Sequence, residues 1–235
     1  MLLAGLQKLS LLDVPGQVAC TVFTGGCNLR CPWCHNSELL ESPPSVLTEE
    51  AFFSFLSSRR GMLDAVCITG GEPCLQKDLP SFLSRIHDLG FFVKLDTNGF
   101  YPDLLSSLLS GRLVDYVAMD IKNCPERYAE TAGLRTCSLD TVGRSVSLLL
   151  SSGLPFELRT TVVMPFHDAA SFEGIRNFLQ PYTDRLGRIP SYYLQAFVDR
   201  ETVRFSGMTA PDRATLEAWA QILSPIAKKV DLRGV

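Results

Sequence analysis

The stretch CNLRCPWCHN, Cys27 to Asn36, places three cysteines at spacings of four and three residues, and no fourth cysteine follows within the next thirty positions. It comes directly after a β-branched run, Val18 to Phe23, so the thiols leave the end of a strand. A structural metal site or a simple electron-transfer cluster closes with four protein ligands, and Cys27, Cys31 and Cys34 fall one short. His35 could supply a fourth for zinc, although the neighbours Cys34 and His35 reach one tetrahedral ion only with strain. The other solution is a [4Fe-4S] cluster whose fourth iron stays open, as a catalytic metal keeps a vacant position. An open iron is a substrate site.

Around this loop the chain is long and well patterned. Its 235 residues are 46% hydrophobic and 20% charged, enough for one sizeable core, and a single domain over residues 1–235 is expected. Eight cysteines in such a chain do not read as a small disulfide scaffold, and in a reducing compartment closely spaced cysteines are more often metal ligands. A net charge of −3 leaves no basic excess for neutralising phosphates, so nucleic acid is not expected as a partner. The apolar N-terminus MLLAGLQKLSLLDVPG has no basic leader and is interrupted by Gln7-Lys8, short of signal or membrane-spanning length. A cytoplasmic protein without a membrane partner is expected.

Short β-branched runs alternate with amphipathic segments, the pattern of about six βα units and a mainly parallel sheet. The strand candidates are Val18 to Phe23, Ala65 to Thr69, Phe91 to Asp96, Asp115 to Ile121, Phe156 to Val163 and Tyr192 to Ala196. Helices are expected over Thr48 to Ser58, Leu79 to Leu89, Asp103 to Leu109 ending at Gly111, Asp140 to Ser151, Ser171 to Leu179 and Pro211 to Lys229. The fold class is α/β, either a barrel or a doubly wound open sheet, and both gather active residues beyond the C-terminal ends of the strands. The motifs obey that rule. The cysteines follow the first strand, Gly70-Gly71-Glu72-Pro73 the second, Asp96-Thr97-Asn98-Gly99 ends the third, Asp120 and Lys122 end the fourth, and Arg159 lies on the fifth.

CNLRCPWCHN fits the CxxxCxxC signature of the radical S-adenosylmethionine (SAM) superfamily, with Trp33 before the last cysteine, and TGGEP fits its second motif. The segment LLDVPGQVACTVFTGGCNLRCPWCHN, followed in order by TGGEP, DTNG and MDIK, resembles the glycyl-radical-enzyme activases. In particular it resembles the longer form of anaerobic ribonucleoside-triphosphate reductase activating protein, from Leu6 to about Ala196. The resemblance implies a partial (β/α)6 TIM-like barrel in which Cys27, Cys31 and Cys34 hold a [4Fe-4S] cluster and SAM chelates the open iron. One electron from the cluster then cleaves the sulfonium to methionine and a 5′-deoxyadenosyl radical, which removes a hydrogen from a glycine Cα of the partner enzyme. The implied partner is anaerobic ribonucleoside-triphosphate reductase, with a flavodoxin- or ferredoxin-like electron donor.

The remaining motifs take roles from the same resemblance. Gly70 and Gly71 let backbone approach a ligand that side chains would block, Glu72-Pro73 stiffens the turn, and the segment is implied to line the SAM amino group. Strand alternation puts Asp120 and Lys122 on one face, where a mutual salt bridge is the plain explanation. The resemblance implies instead that Lys122 meets the SAM carboxylate while Asp96, Thr97 and Asp120 hold a monovalent cation, with Asn98 beside them. Electrostatics favours the cation, since two aspartates near a carboxylate repel unless positive charge sits among them. Lys94 shares the parity of Asp96, an awkwardness that a bulge or a snorkelling lysine would resolve. Arg159 is a candidate second contact to the SAM carboxylate, with Glu157 as a rival partner.

Other residues read more plainly. His35 and Asn36 take a supporting role, His87 is expected solvated, and His167 is expected on a loop surface. Cys20 and Cys67 are expected as packed small hydrophobes, Cys74, Cys124 and Cys137 have no assigned role, and Pro43 to Thr48 is too short for a second cluster insert. Competing functions are activation of pyruvate formate-lyase or another glycyl-radical enzyme, radical chemistry on a small molecule as in deazapurine biosynthesis, and a zinc-stabilised binding module. Ser191 to Ser206, with Gln195, Phe197 and Arg204, reads as an ordinary last strand and loop.

Overall fold

The computed structural model describes residues 1–41 and 45–235, so the expectation on Pro43 to Thr48 falls in part outside the described residues. The described residues gather into two compact units, Met1–Asn28, Glu38–Thr97 and Asp103–Ala118 in the first and Leu29–Ser37, Asn98–Pro102 and Met119–Val235 in the second.

In the first unit β2 (Ala19–Thr24), β3 (Ala65–Gly70) and β4 (Phe92–Thr97) pair in parallel, with Ala19 opposite Ala65 and Ala65 opposite Phe92. Val22, Val66, Ile68, Val93 and Leu95 along them are buried, as strands covered on both faces must be. An additional strand, β1 (Leu3–Ser10), runs antiparallel to β2 with Gln7 opposite Thr21. Gln7, Lys8 and Leu9 are all exposed, so its period-two signal is absent and the sequence does not mark it. Helices α1 (Glu49–Ser58) and α2 (Leu79–Asp88) cover the sheet through Phe52, Phe53 and Phe82, whose rings lie 5.1 to 5.3 Å apart. Thr48 caps α1 as expected, accepting from the Ala51 amide at 3.2 Å. After α3 (Pro102–Ser110) the left-handed residue is Arg112, at φ 52°, and not Gly111.

β5 (Tyr116–Asp120) starts in the first unit and ends in the second. There β6 (Phe156–Val162), β7 (Ser191–Ala196) and β8 (Val230–Arg233) are parallel, with Leu158 opposite Tyr192 and Tyr192 opposite Val230. Their helices are α4 (Pro125–Ala132), α5 (Asp140–Ser152), α6 (Ala169–Leu186) and α7 (Arg213–Leu223). α4 escapes the sequence reading although Pro125 opens it and Gly133, at φ 66°, closes it. α6 begins earlier than expected because Asp168 and Ser171 form a reciprocal cap, and it continues through Pro181. α7 stops well short of Lys229, since Pro225 has no N–H to continue the helix, and residues 230–233 turn into a strand. The core of this unit includes Phe172, Ile175, Leu216 and Leu223, with Phe172 stacked on Trp219 at 5.2 Å. Among the described residues no helix is long and apolar enough to cross a membrane.

Candidate active site

In the first unit β2 hands the chain to Gly25-Gly26-Cys27, whose backbone is held from two sides. Gly26 N–H donates to Leu39 O at 2.7 Å and Cys27 N–H to Leu40 O at 3.3 Å, while Gly26 O accepts from Glu72 N–H at 2.8 Å. Gly71 N–H donates to Thr24 O at 2.8 Å. A Cβ on Gly71 would lie 2.0 Å from Gly26 O, and one on Gly70, at φ 111°, would lie 2.4 Å from Thr24 N. What these glycines admit is therefore another stretch of backbone, the one that leads into Cys27.

Glu72 is buried, and its Oε1 accepts from Cys74 N–H at 3.0 Å and from the Thr97 hydroxyl at 2.8 Å. Pro73 opens a 3-10 turn that this carboxylate caps. Thr97, expected at a cation site, has its hydroxyl directed to Glu72. Asp96 pairs with Lys94 two residues back on the same strand face, Nζ to Oδ1 at 2.5 Å. Neither a bulge nor snorkelling resolves the parity of Lys94, which stays 3% exposed and inside. His87 is partly buried at the end of α2, 3.6 Å from Asp115, rather than solvated.

In the second unit Cys31 and Cys34 share one turn, Cys34 N–H donating to Cys31 O at 3.1 Å. Arg30 N–H donates to Ala132 O at 2.9 Å, and a Cβ on Gly133 would lie 2.1 Å from Arg30 O, so the end of α4 backs this turn closely. Trp33 is buried with Val163, Phe197 and Met208 and touches the rings of Phe166 and His167 at 5.1 and 5.6 Å. His35 stacks on Phe197, and its Nε2 lies 2.7 Å from Val198 O, which can only accept. That hydrogen bond fixes the ring through Nε2 and leaves Nδ1 as the nitrogen with a lone pair. Ser37 donates to Thr202 O at 2.6 Å and Arg204 to Ser37 O at 3.1 Å, so the chain after β7 holds the residues after the cysteines. Phe197, Val198, Thr202 and Arg204 thus do more than close an ordinary loop.

Asp120 sits between two cations, Lys122 at 2.9 Å and Arg159 at 2.8 Å. Burial alone would raise its pKa, but the two cations hold the carboxyl well below the usual carboxylate range. Burial would lower the Lys122 pKa, and Asp120, then Cys31, push it above the ordinary lysine value. Glu157, the rival partner for Arg159, is buried and takes a two-armed ion pair from Arg233 at 2.7 and 2.8 Å. Asn98 is buried and accepts from Phe100 N–H at 3.1 Å, shaping the turn after β4.

His167, expected at a loop surface, is fully buried and is a residue the sequence misses. Its Nε2 lies 2.9 Å from Lys122 O and its Nδ1 3.1 Å from Val163 N–H. A lone histidine after a strand carries no signal of burial. Cys20 and Cys67 are packed as expected, and burial pushes the Cys20 thiol up to about 12.

Cys27 in the first unit and Cys31 and Cys34 in the second are each partly exposed and none is in a disulfide, so each thiol suits a metal ligand. Lys122, Arg159 and Asp120 sum to one net positive charge, which suits the carboxylate of an amino-acid ligand. The fit to a monovalent cation is poor, because Asp120 meets the ion pair with Lys122 that the sequence offers as the alternative, and also Arg159, while Asp96 pairs with Lys94.

In the first unit Gly25-Gly26-Cys27, Gly70-Gly71-Glu72 and Asp96-Thr97 lie at the C-terminal ends of the parallel strands β2, β3 and β4, the placement of an α/β enzyme. The family model described as the Radical SAM superfamily matches residues 21–179. A candidate glycyl-radical enzyme activating enzyme of Methanocaldococcus jannaschii is 35% identical over 181 residues, 74% of this chain and 73% of its own. A 7-carboxy-7-deazaguanine synthase of Thermococcus kodakarensis is 30% identical over 119 residues, 42% of this chain and 46% of its own. A solved domain of pyruvate-formate lyase-activating enzyme from Bacteroides vulgatus aligns with a TM-score of 0.58 at 18% identity, over 73% of this chain and 99% of that domain. That likeness shows the fold, α/β of the partial-barrel type. The chain belongs to the radical SAM superfamily and, within it, to the glycyl-radical-enzyme activase family.

Proposed function

We propose that residues 1–235 act as one catalytic domain that installs a glycyl radical on anaerobic ribonucleoside-triphosphate reductase, with Cys27, Cys31 and Cys34 holding a [4Fe-4S] cluster. Membership of the family implies that cluster and SAM. The observation that carries the reading is the set of three partly exposed thiols, none in a disulfide, which falls one short of a closed four-ligand site. Bound together, the cluster and SAM supply the radical chemistry that removes a hydrogen from a glycine Cα. A flavodoxin- or ferredoxin-like protein is the proposed electron donor.

The chain's own residues bind and orient. Lys122 and Arg159, sharing Asp120, hold one unit of positive charge for the SAM carboxylate. Gly70, Gly71, Glu72 and Pro73 form a stiff turn for its amino group, with Glu72 kept in place by Cys74 and Thr97. Asp96 and Asn98 shape the end of β4. A second reading, radical chemistry on a small molecule, draws on the deazaguanine synthase relative.

The test is anaerobic reconstitution followed by iron and sulfide analysis and EPR of the reduced protein, with and without SAM, on the wild type and Cys31→Ala. About four irons per chain, a signal altered by SAM and lost in Cys31→Ala, and a glycyl-radical signal on the added reductase support the proposal. Stoichiometric zinc, or a cluster indifferent to SAM, sinks it. A SAM-responsive cluster that leaves the reductase and pyruvate formate-lyase unradicalised favours the small-molecule reading.

A further inference from the structure

Lys94 is an ammonium where packing alone would place an apolar side chain. It is 3% exposed on β4, between Val93 and Leu95, which are fully buried. Its Nζ reaches Asp96 Oδ1 at 2.5 Å and Cys67 Sγ, on the adjoining strand, at 3.9 Å. A lysine is buried at such a place only if its charge is compensated, and a hydrophobic residue of similar volume would stabilise the strand as well or better. The carboxylate it compensates is one that the family resemblance assigns to a monovalent cation. An alkali ion arriving at Asp96 meets a like charge already bonded to the same carboxylate, and repulsion at that range is strong in a partly buried site.

We propose that Lys94 is a built-in counter-charge: its ammonium takes the place at Asp96 that a monovalent cation would hold, so this chain binds SAM without an alkali metal ion. The consequence for SAM rests on the activase reading. The counter-charge itself does not, because it concerns the folded chain alone.

Two measurements separate these. Thermal unfolding of the SAM-free chain is compared in potassium, sodium and choline chloride at equal ionic strength. The wild type is expected to unfold at the same temperature in all three. Lys94→Ala is expected to unfold about 5 °C lower and to regain stability in potassium or sodium but not in choline. Lys94→Met with Asp96→Asn is expected to recover most of what Lys94→Met alone loses, since the double change removes both charges of the pair together. A wild-type midpoint that rises saturably with sodium or potassium over choline, or additive losses in the double variant, overturns the proposal.

On the reconstituted protein, the SAM dissociation constant of the wild type is expected to change by less than about twofold between potassium and choline. Lys94→Ala is expected to bind about tenfold more weakly in choline and to recover in potassium. A wild type that needs potassium or sodium to bind SAM overturns the proposal. If no salt yields SAM binding, the activase reading falls, and the unfolding series alone then supports or overturns the counter-charge.

Discussion

His167 Nε2 donates to the carbonyl oxygen of Lys122 at 2.9 Å, and its Nδ1 accepts from Val163 N–H at 3.1 Å. The carbonyl can only accept, so Nε2 carries a hydrogen, and burial favours the neutral ring. Lys122 in turn reaches Asp120 at 2.9 Å, and Arg159 reaches the same carboxylate at 2.8 Å. A ring with no exposure thus sets the backbone from which the site lysine extends.

His167 is therefore a positioning residue. His167→Phe is expected to weaken SAM binding about tenfold while iron content after reconstitution stays unchanged. His167→Gln, which keeps a donor for the carbonyl, is expected to recover most of the affinity. Titration calorimetry beside iron analysis distinguishes this from a general loss of fold, which lowers both.

The same imidazole makes stability depend on pH. Burial lowers its pKa from the ordinary 6.5 in the folded chain, so on acidification the unfolded chain takes up the proton first. This group's contribution is complete above the unfolded value and falls as pH drops below it. Urea unfolding of wild type against His167→Gln above and below that value is expected to show a shallower acid loss in the variant.

Asp120→Asn leaves Lys122 and Arg159 close together without their shared carboxylate. A loss of about 2 kcal/mol in stability is expected, together with weaker SAM binding. Because the folded pKa of Asp120 is depressed, its contribution is present above the unfolded value of 3.8 and is lost as pH falls below it. Denaturant midpoints at pH 7 and pH 3 check this, the variant differing from wild type less at the lower pH.

Gly71→Ala pushes a methyl to within 2.0 Å of Gly26 O. The atom it meets belongs to the backbone and cannot swing aside, so the turn has to separate from the segment before Cys27. A destabilisation of about 2 kcal/mol or more is expected, with reduced iron retention measured after desalting. Unchanged iron content would show that the Gly26-Cys27 segment does not depend on this contact.

Arg233→Ala removes the two-armed ion pair from the buried carboxylate of Glu157 and the guanidinium that lies 3.5 Å over the Tyr193 ring. A cost of about 3 kcal/mol is expected. Adding Glu157→Gln is expected to return part of it, which a double-mutant cycle in urea measures.

The sequence marks six strands to within a residue or so at each end, because runs such as Ala65–Gly70 are short, β-branched and bounded by turn residues. It misses β1, buried only at its two ends, and β8, half-buried throughout, so neither carries alternation. It overextends α7 because amphipathic periodicity persists past Leu223 while Pro225 removes the hydrogen bond that would carry the helix on. The cysteine motif and the family are legible because ligand number and spacing are local properties of the chain.

Pairings are not local. Nothing in the order of residues says that Glu157 belongs to Arg233, since 76 positions separate the two and strand pairing through β7 and β8 brings them together. The sequence by itself determined the strand-to-loop order, the three thiols and the family, because each depends on neighbours along the chain. The tertiary structure alone decided that His167 is buried beneath Lys122, that Asp120 holds two cations and that Lys94 lies inside against Asp96. The physical reason is that a buried charge or polar atom must find its partner in space.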